Sequence, residues 1–387
     1  MLNYLRYFGT HLLVAAAAAG LLLGGAWSWL GLATGVIAWI GADALSPRVT
    51  DPVPAYRYPR VLDLALYSLL PPLLGLCAIY AWSLADDDLF GLGTTLAELT
   101  GYAALEARAD TDTLDRLGAS WSFALAIAMA GILTAHELLH RQRSPCALAV
   151  GRAMLAMACN ASLEVAHVFG HHRDVGTPAD PATARRGESV YHFWLRSSYG
   201  QVVQAWRIEC DRLAGRPWLR RWAGNRVLRG FVRSGSVAAA FYAAGGVTAL
   251  TWFLLATAWN KLLLEALNYM EHYGLVRVPG TPIEPRHAWD SDSAFSHAAL
   301  FNLPWHADHH HRSSAPFAQL HASPHAPRLG HGYLATLPLV LLPPLWWRLI
   351  ESRLADWDEN LATPAERALV ARPGQAARAP GLDRLHC

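Results

Sequence analysis

The sequence predicts an all-α integral membrane protein with six transmembrane helices and a histidine-rich cap at their cytoplasmic ends. Apolar residues make up 53% of the 387 residues and charged residues only 16%, against about 25% charged in soluble domains. The apolar residues form runs near the length of about 20 residues that crosses a bilayer. Half of the 18 histidines fall in three clusters and one single site on the predicted cytoplasmic side, which is the third observation behind the fold class.

Composition also excludes other classes of protein. Too little of the chain is polar for intrinsic disorder. Its five cysteines are too few and too scattered for a disulfide scaffold, and a net charge of +2 is too small to indicate a nucleic-acid partner.

Six apolar runs are predicted as membrane spans. The third contains Pro71-Pro72, which should kink it, and Gly245-Gly246 should divide the last long run into two helices. The predicted spans are residues 11–26, 30–45, 61–82, 119–135, 227–246 and 248–270. A signal peptide is the alternative for the first run, but no A-x-A site follows it and another apolar run begins at once.

Later segments complete the predicted organisation. Residues 333–347 form a short apolar run with three prolines, and we expect them to lie at the membrane interface or to re-enter it. Residues 1–360 are predicted to form one membrane domain, followed by a polar tail, residues 361–387.

Charge sets the predicted orientation. The loop at residues 46–60 and the stretch at residues 141–233 are rich in arginine, whereas residues 85–119 are acidic. Because basic loops stay in the cytoplasm, six spans place both basic regions and both termini inside and the acidic loop outside.

Histidines form three clusters and one single site on the predicted inner side. With 18 in 387 residues, six residues should contain about 0.3 histidines (6 × 18/387), yet residues 306–311 contain four and residues 167–172 contain three. In the helical cluster HELLH, the i, i+4 spacing places both imidazoles on one face. The histidines concerned are His136, His140, His167, His171, His172, His272, His306, His309 and His310.

This set predicts a metal site. Nine imidazoles exceed what one ion needs, so two ions are expected, and imidazole-rich coordination suits Fe, Zn or Cu. HELLH also matches the H-E-x-x-H pattern of zinc peptidases, but the seven further histidines argue against a single-zinc enzyme.

The motifs HxxxH, HxxxHH and HxxHH resemble those of the membrane-bound di-iron oxygenases, which include fatty-acid desaturases and alkane hydroxylases. Longer motifs look like the alkane 1-monooxygenase family: residues 170–188 (GHHRDVGTPADPATARRGE), 268–275 (NYMEHYGL) and 287–291 (HAWDS). The resemblance covers about residues 5 to 360. The related xylene monooxygenases share the architecture.

The chain departs from the family pattern beside the ligand positions. Ala166 stands where the family usually has Glu, and Val168-Phe169 where a basic residue is common. Asn302-Leu-Pro-Trp-His306 replaces the usual H-L-Q-R-H.

The resemblance implies a fatty-acid-desaturase/hydroxylase-like fold in which the nine histidines hold two iron ions, with no catalytic residue apart from these ligands. It implies hydroxylation of an alkane by O2, giving a primary alcohol and water. A separate rubredoxin or ferredoxin is expected to supply electrons, since the chain has no nucleotide-binding fingerprint and no C-x-x-C pair. The enzyme would lie in the bacterial inner membrane with its metals on the cytoplasmic side.

Two further groups of residues are candidates. Carboxylates near the ligands are expected to accept a hydrogen bond from the imidazole nitrogen that faces away from the metal: Glu137, Glu164, Glu188, Glu271, Asp290 and Asp308. Trp29 and Trp39 of the second span are candidates for lining the substrate channel, with interface anchoring as the alternative. His192, His287 and His297 are weaker candidates for contact with the ligands.

Three other functions stay open at this stage. A xylene-type methyl hydroxylase or a fatty-acid desaturase would use the same metal chemistry. A histidine-lined metal transporter is the non-enzymatic alternative, although transporters place their polar groups near the bilayer midplane.

Overall fold

The protein is described by a computed structural model that covers residues 2–49 and 56–371. These residues form helices joined by loops and contain no β-strand, only the isolated bridge pairs Arg48–Ser293 and Asp290–Arg328. The predicted all-α class is therefore confirmed. Residues 50–55 of the predicted inner loop and residues 372–387 of the predicted tail lie outside the described residues.

The helices are labelled in chain order. The first seven are α1 (Asn3–Leu23), α2 (Gly25–Ala44), α3 (Pro59–Ser83), α4 (Leu92–Thr100), α5 (Ala104–Ala109), α6 (Thr113–His140) and α7 (Pro145–Met157). The next four are α8 (163–174), α9 (Val190–Arg212), α10 (Trp218–Gly224) and α11 (Arg226–His272). The last five are α12 (Ala294–Ala299), α13 (His306–His311), α14 (Tyr333–Val340), α15 (Pro343–Asp356) and α16 (Pro364–Val370).

Five helices in the described ranges are long and apolar enough to cross a membrane, namely α1, α2, α3, α6 and α11. The first four overlap the first four predicted spans, and α11 covers the last two in one run of 47 residues. The chain is thus a membrane protein, as predicted. The number of crossings remains a prediction.

A backbone break divides α11 at the predicted position. Gly246 has φ 61° and ψ −149°, a conformation that favours glycine. A β-carbon on Gly245 would lie 2.3 Å from the carbonyl oxygen of Leu84. Both glycines are therefore needed where two helical segments meet inside α11.

Prolines also interrupt helices. In α3, a turn at residues 68–69 lies one residue before Pro71-Pro72. The apolar run at residues 333–347 forms the end-to-end helices α14 and α15, and neither qualifies as a candidate span. Its predicted interfacial position remains a prediction.

The chain divides into two compact units. The first unit consists of residues 2–41, 58–161 and 230–263, and the second of residues 42–49, 56–57, 162–229 and 264–371. The first unit therefore contains α1, α3, α6 and α7, whereas α8, α9, α10 and α12 to α16 belong to the second.

In the first unit, α1, α2 and α6 pack at a close crossing. A β-carbon on Gly31 would lie 2.8 Å from the β-carbons of both Ala17 and Ser122. The Ser122 hydroxyl accepts a hydrogen bond from the amide of Leu32 (3.0 Å) and donates one to the carbonyl of Ser28 (2.8 Å). These polar groups are paired within the protein, as a lipid environment requires.

In the second unit, Asp43 connects the starts of the helices α12 and α14. Its buried carboxylate accepts hydrogen bonds from the hydroxyl and the amide of Ser296 (2.7 and 3.1 Å), from the Ser293 hydroxyl and from the Ala335 amide (2.8 Å). Helix starts carry amides without an intrahelical partner. One carboxylate therefore caps both α12 and α14.

Candidate metal centre

Seven of the nine predicted ligands lie together in the second unit. They come from three elements: α8, the last residue of α11, and α13. They form two groups, His171 with His272, His306 and His310, and His167 with His172 and His309. Within each group the ligand nitrogens lie within 4.8 Å of one another. All but His172 are buried.

The distances within each group fit a bound metal ion. In the first group the Nε2 atoms of His272 and His306 are 3.0 Å apart, and those of His306 and His310 are 3.1 Å apart. In the second, the Nε2 atoms of His167 and His172 are 2.9 Å apart. Two nitrogens bound at right angles to one ion, each about 2.1 Å from it, are about 3.0 Å apart. The two groups therefore fit metal coordination.

A wide helical turn brings His167 and His172 together. Residues Ala166–His171 form a π-type turn, in which the amide of His172 donates to the carbonyl of His167, five residues earlier. In a regular α-helix, residues five apart point in different directions. The wider turn places both rings on one side, and such turns are frequent at functional sites.

The six-residue helix α13 carries three predicted ligands at spacing i, i+3 and i+4, which puts His306, His309 and His310 on one face. The carboxylate of Asp290 accepts a hydrogen bond from the Ala307 amide (2.8 Å) at the start of this helix. Burial raises the pKa of Asp290 to about 7. Asp290 thus positions the helix rather than any single imidazole.

Asp180 orients His171. Its buried carboxylate lies 2.8 Å from the His171 Nδ1 and also accepts a hydrogen bond from the Thr183 hydroxyl (2.6 Å). Burial raises the pKa of this carboxyl, but the adjacent His171 and the hydrogen bonds outweigh burial and lower it overall. An ionised Asp180 keeps the proton of His171 on Nδ1, so Nε2 faces the other ligands. Sequence reasoning missed Asp180, although it lies inside the motif at residues 170–188.

His272 is oriented by a backbone carbonyl. Its Nδ1 donates to the carbonyl oxygen of His287 (3.1 Å), which leaves Nε2 toward His306. Among the predicted carboxylates, Glu271 approaches a predicted ligand, with its Oε2 3.5 Å from the His306 Nε2.

The other predicted carboxylates lie in local polar networks. Glu188 binds Arg196 (2.7 Å), and Asp308 binds Arg312 and accepts from the His321 amide (2.9 Å). In the first unit Glu137 binds Arg141 (3.1 Å). Glu164 is buried. Their effect on the ligands remains a prediction.

The remaining predicted residues lie in the first unit. His136 and His140 occupy the last turn of α6, with ring centroids 5.0 Å apart. Trp29 contacts Trp121 edge-on, with centroids 5.7 Å apart, and Trp39 is buried in a wide turn of α2. The role of His136 and His140 as metal ligands remains a prediction. So does the place of Trp29 and Trp39 along a substrate channel.

The donor set defines the chemistry that the centre supports. Neither group of described ligands contains a thiol, and every donor is an imidazole. Neutral imidazole suits Fe, Zn and Cu. The buried rings also exclude water from most of the site, which strengthens electrostatic interactions there.

Comparison with known proteins agrees with this chemistry. The sequence model of the fatty acid desaturase family matches residues 117–336, which include all nine predicted ligands. Alkane 1-monooxygenase 2 of Pseudomonas aeruginosa is 31% identical over 85% of this chain and 84% of its own length. The alkane 1-monooxygenase of Acinetobacter baylyi is 30% identical over 69% of this chain and 67% of its own.

A xylene enzyme is similar over an even longer stretch. The hydroxylase component of the xylene/toluene monooxygenase of Pseudomonas putida is 30% identical over 97% of this chain and 96% of its own length. The resemblance predicted from the histidine motifs is therefore confirmed. The chain is a metal-binding membrane monooxygenase that belongs to the fatty acid desaturase family and, within it, to the alkane 1-monooxygenase group.

Proposed function

We propose that this protein hydroxylates the terminal methyl group of an alkane, consuming O2, two electrons and two protons and releasing a primary alcohol and water. The observation that carries the proposal is the convergence of Nε2 atoms at about 3 Å in two groups, in a chain about 30% identical to alkane 1-monooxygenases over most of its length. Two iron ions, when bound, would supply O2 activation and cleavage of an unactivated C–H bond.

The residues of this chain would prepare the centre in three ways. Seven histidines of the second unit, together with His136 and His140 of the first, would offer nine nitrogens, a number that suits two ions. Asp180 and the His287 carbonyl fix the tautomers of His171 and His272. The buried surroundings would keep bulk water away from the reacting carbon.

The membrane would deliver the substrate. An alkane dissolves in the bilayer, and we propose that it enters between the spans with its methyl group leading toward the cytoplasmic ends of the helices. The arginine-rich loops support this orientation, because basic loops tend to stay in the cytoplasm. We therefore propose a location in the bacterial inner membrane with the metal centre on its cytoplasmic side.

Electrons would come from a separate protein, a rubredoxin or ferredoxin. Such carriers are acidic as a class, and complementary charge speeds the encounter of two proteins. The basic stretch at residues 141–233 offers a surface of suitable charge.

Hydroxylation of an aryl methyl group is the second candidate, favoured by the match to the xylene enzyme over nearly the whole chain. Cells producing the protein with a rubredoxin would be given a series of alkanes and methylarenes. The proposal expects 1-alkanols from alkanes at a higher rate than benzylic alcohols. Predominant benzylic alcohols would favour the second candidate, and alkenes would favour a desaturase.

A matched pair of variants ties this activity to the site. His309→Ala removes a buried ligand and should abolish product formation. His325→Ala removes an exposed histidine that is not in either group and should leave the rate unchanged. Alcohol formed by His309→Ala at the parent rate would contradict the proposal.

A further inference from the structure

The carboxyl-terminal segment, residues 357–370, contacts the turn that orients His272. Sequence reasoning assigned residues from 361 onward to a polar tail, but α16 begins with a capping box of Thr363 and Glu366, and the Glu366 side chain is buried. Its carboxylate lies 2.8 Å from the His287 Nε2 and 3.0 Å from the Arg286 Nε. This segment lies beyond residue 336, where the match to the family model ends.

The hydrogen bonds of His287 fix its tautomer. The amide of Glu284 donates to the His287 Nδ1 (3.0 Å), so this nitrogen carries no proton. The proton is therefore on Nε2 and is donated to Glu366. The ring is held from both sides, and the second of these contacts comes from α16.

Consecutive carbonyls of the same turn have separate partners. The Arg286 carbonyl accepts from the indole Nε1 of Trp357 (2.7 Å), which also belongs to the carboxyl-terminal segment. The next carbonyl, that of His287, accepts from the Nδ1 of His272 (3.1 Å). Trp357 and Glu366 thus hold the turn on either side of the carbonyl that orients a predicted ligand.

We propose that Glu366 and Trp357 are positioning residues for the metal ion held by His171, His272, His306 and His310. They act through the turn at residues 284–287, which keeps the His272 Nε2 pointed at the ion. The inference rests on the proposed metal pair. It adds that the carboxyl-terminal segment supports the ion of this group in particular, because Glu366 and Trp357 bind the turn whose His287 carbonyl orients His272.

The test measures metal release, which does not depend on turnover. The full chain in detergent would be loaded with iron(II) and challenged with a chelator, and the release of each equivalent followed by absorbance. In Glu366→Ala, one equivalent should leave faster, by less than the roughly 10- to 100-fold that losing a direct partner of a ligand costs in affinity, because Glu366 acts through His287. The second equivalent should leave at the parent rate.

Two further variants separate positioning from general stability. Trp357→Phe keeps an aromatic ring but removes the donor to the Arg286 carbonyl, and should speed release of the same equivalent by a smaller factor. Glu366→Gln keeps an acceptor for His287 and should recover part of the loss. Glu359→Gln, at an exposed position of the same segment, is the matched control and should match the parent.

The outcomes are distinct. Faster release of one equivalent in both Glu366→Ala and Trp357→Phe supports the inference. Unchanged release in both, or equal acceleration of both equivalents together with a lower Tm, would overturn it. If the parent chain itself binds no iron pair, the proposed function fails, and that result is separate because it needs no variant.

Discussion

The carboxylate of Asp180 lies 2.8 Å from the Nδ1 of His171, and both side chains are buried. They are nine positions apart in the sequence, and the loop between them contains Pro178. The contact fixes which nitrogen of His171 carries the proton, and therefore which one is left to bind a metal.

Replacing Asp180 should weaken metal binding and hydroxylation together. In Asp180→Ala, His171 loses the acceptor that orients it, and we expect metal affinity to fall about 10- to 100-fold. The measurement is metal per chain at limiting free iron(II), with the hydroxylation rate alongside. Asp211→Ala removes an exposed carboxylate outside both groups and serves as the control. Equal metal content in the parent and Asp180→Ala would refute the role of Asp180.

Trp39 tests the proposed substrate channel. Its large side chain is buried in α2. If it closes the far end of the channel, Trp39→Ser should extend the accepted alkanes to longer chains, because a smaller side chain leaves more room. Product profiles over a series of chain lengths give the answer, with exposed Trp27→Ser as the control. An unchanged profile in Trp39→Ser would remove Trp39 from the channel.

The carboxylate of Glu209 should make the stability of the folded state depend on pH. Burial raises the pKa of this carboxyl, but hydrogen bonds from Arg212 and Arg226 outweigh burial and lower it to about 2. A lowered pKa stabilises the folded state above the unfolded value of about 4.5. This contribution, on the order of 3 kcal/mol, should be lost as the pH falls from about 4.5 to about 2.

Thermal unfolding in detergent measures this loss. Between pH 5 and pH 3, roughly the window in which the contribution begins to fall, the Tm of the parent should decrease more than that of Glu209→Gln, which has no carboxylate to protonate. The exposed Glu351→Gln should follow the parent. Parallel curves for the parent and Glu209→Gln would show that Glu209 does not contribute in this way.

Much of the fold followed from local pattern. The helix α6 and the pair His136–His140 were predictable because apolar length and i, i+4 spacing are local properties. The break at Gly245-Gly246 was predicted because glycine pairs weaken a helix. The short helix α7 was missed, since its run is too short for a span.

The details of the site depended on contacts between distant segments. His167 and His172 share a group only because the backbone widens at Ala166–His171, and no residue type in that stretch requires a wide turn. Asp180 and Glu366 reach their partners across loops whose paths the sequence does not specify. Spacing predicted the histidines that gather in the two groups, whereas the residues that orient them required the fold.

Metal content is the most direct test of the central claim, that imidazoles gathered from separate segments bind a pair of ions. Iron would be quantified in the purified full chain, with hydroxylation measured on the same sample. We predict two irons per chain in the parent, and fewer in His140→Ala, His310→Ala and His172→Ala, but not in the control His325→Ala. A parent chain that contains no bound iron and still hydroxylates its substrate would contradict the account.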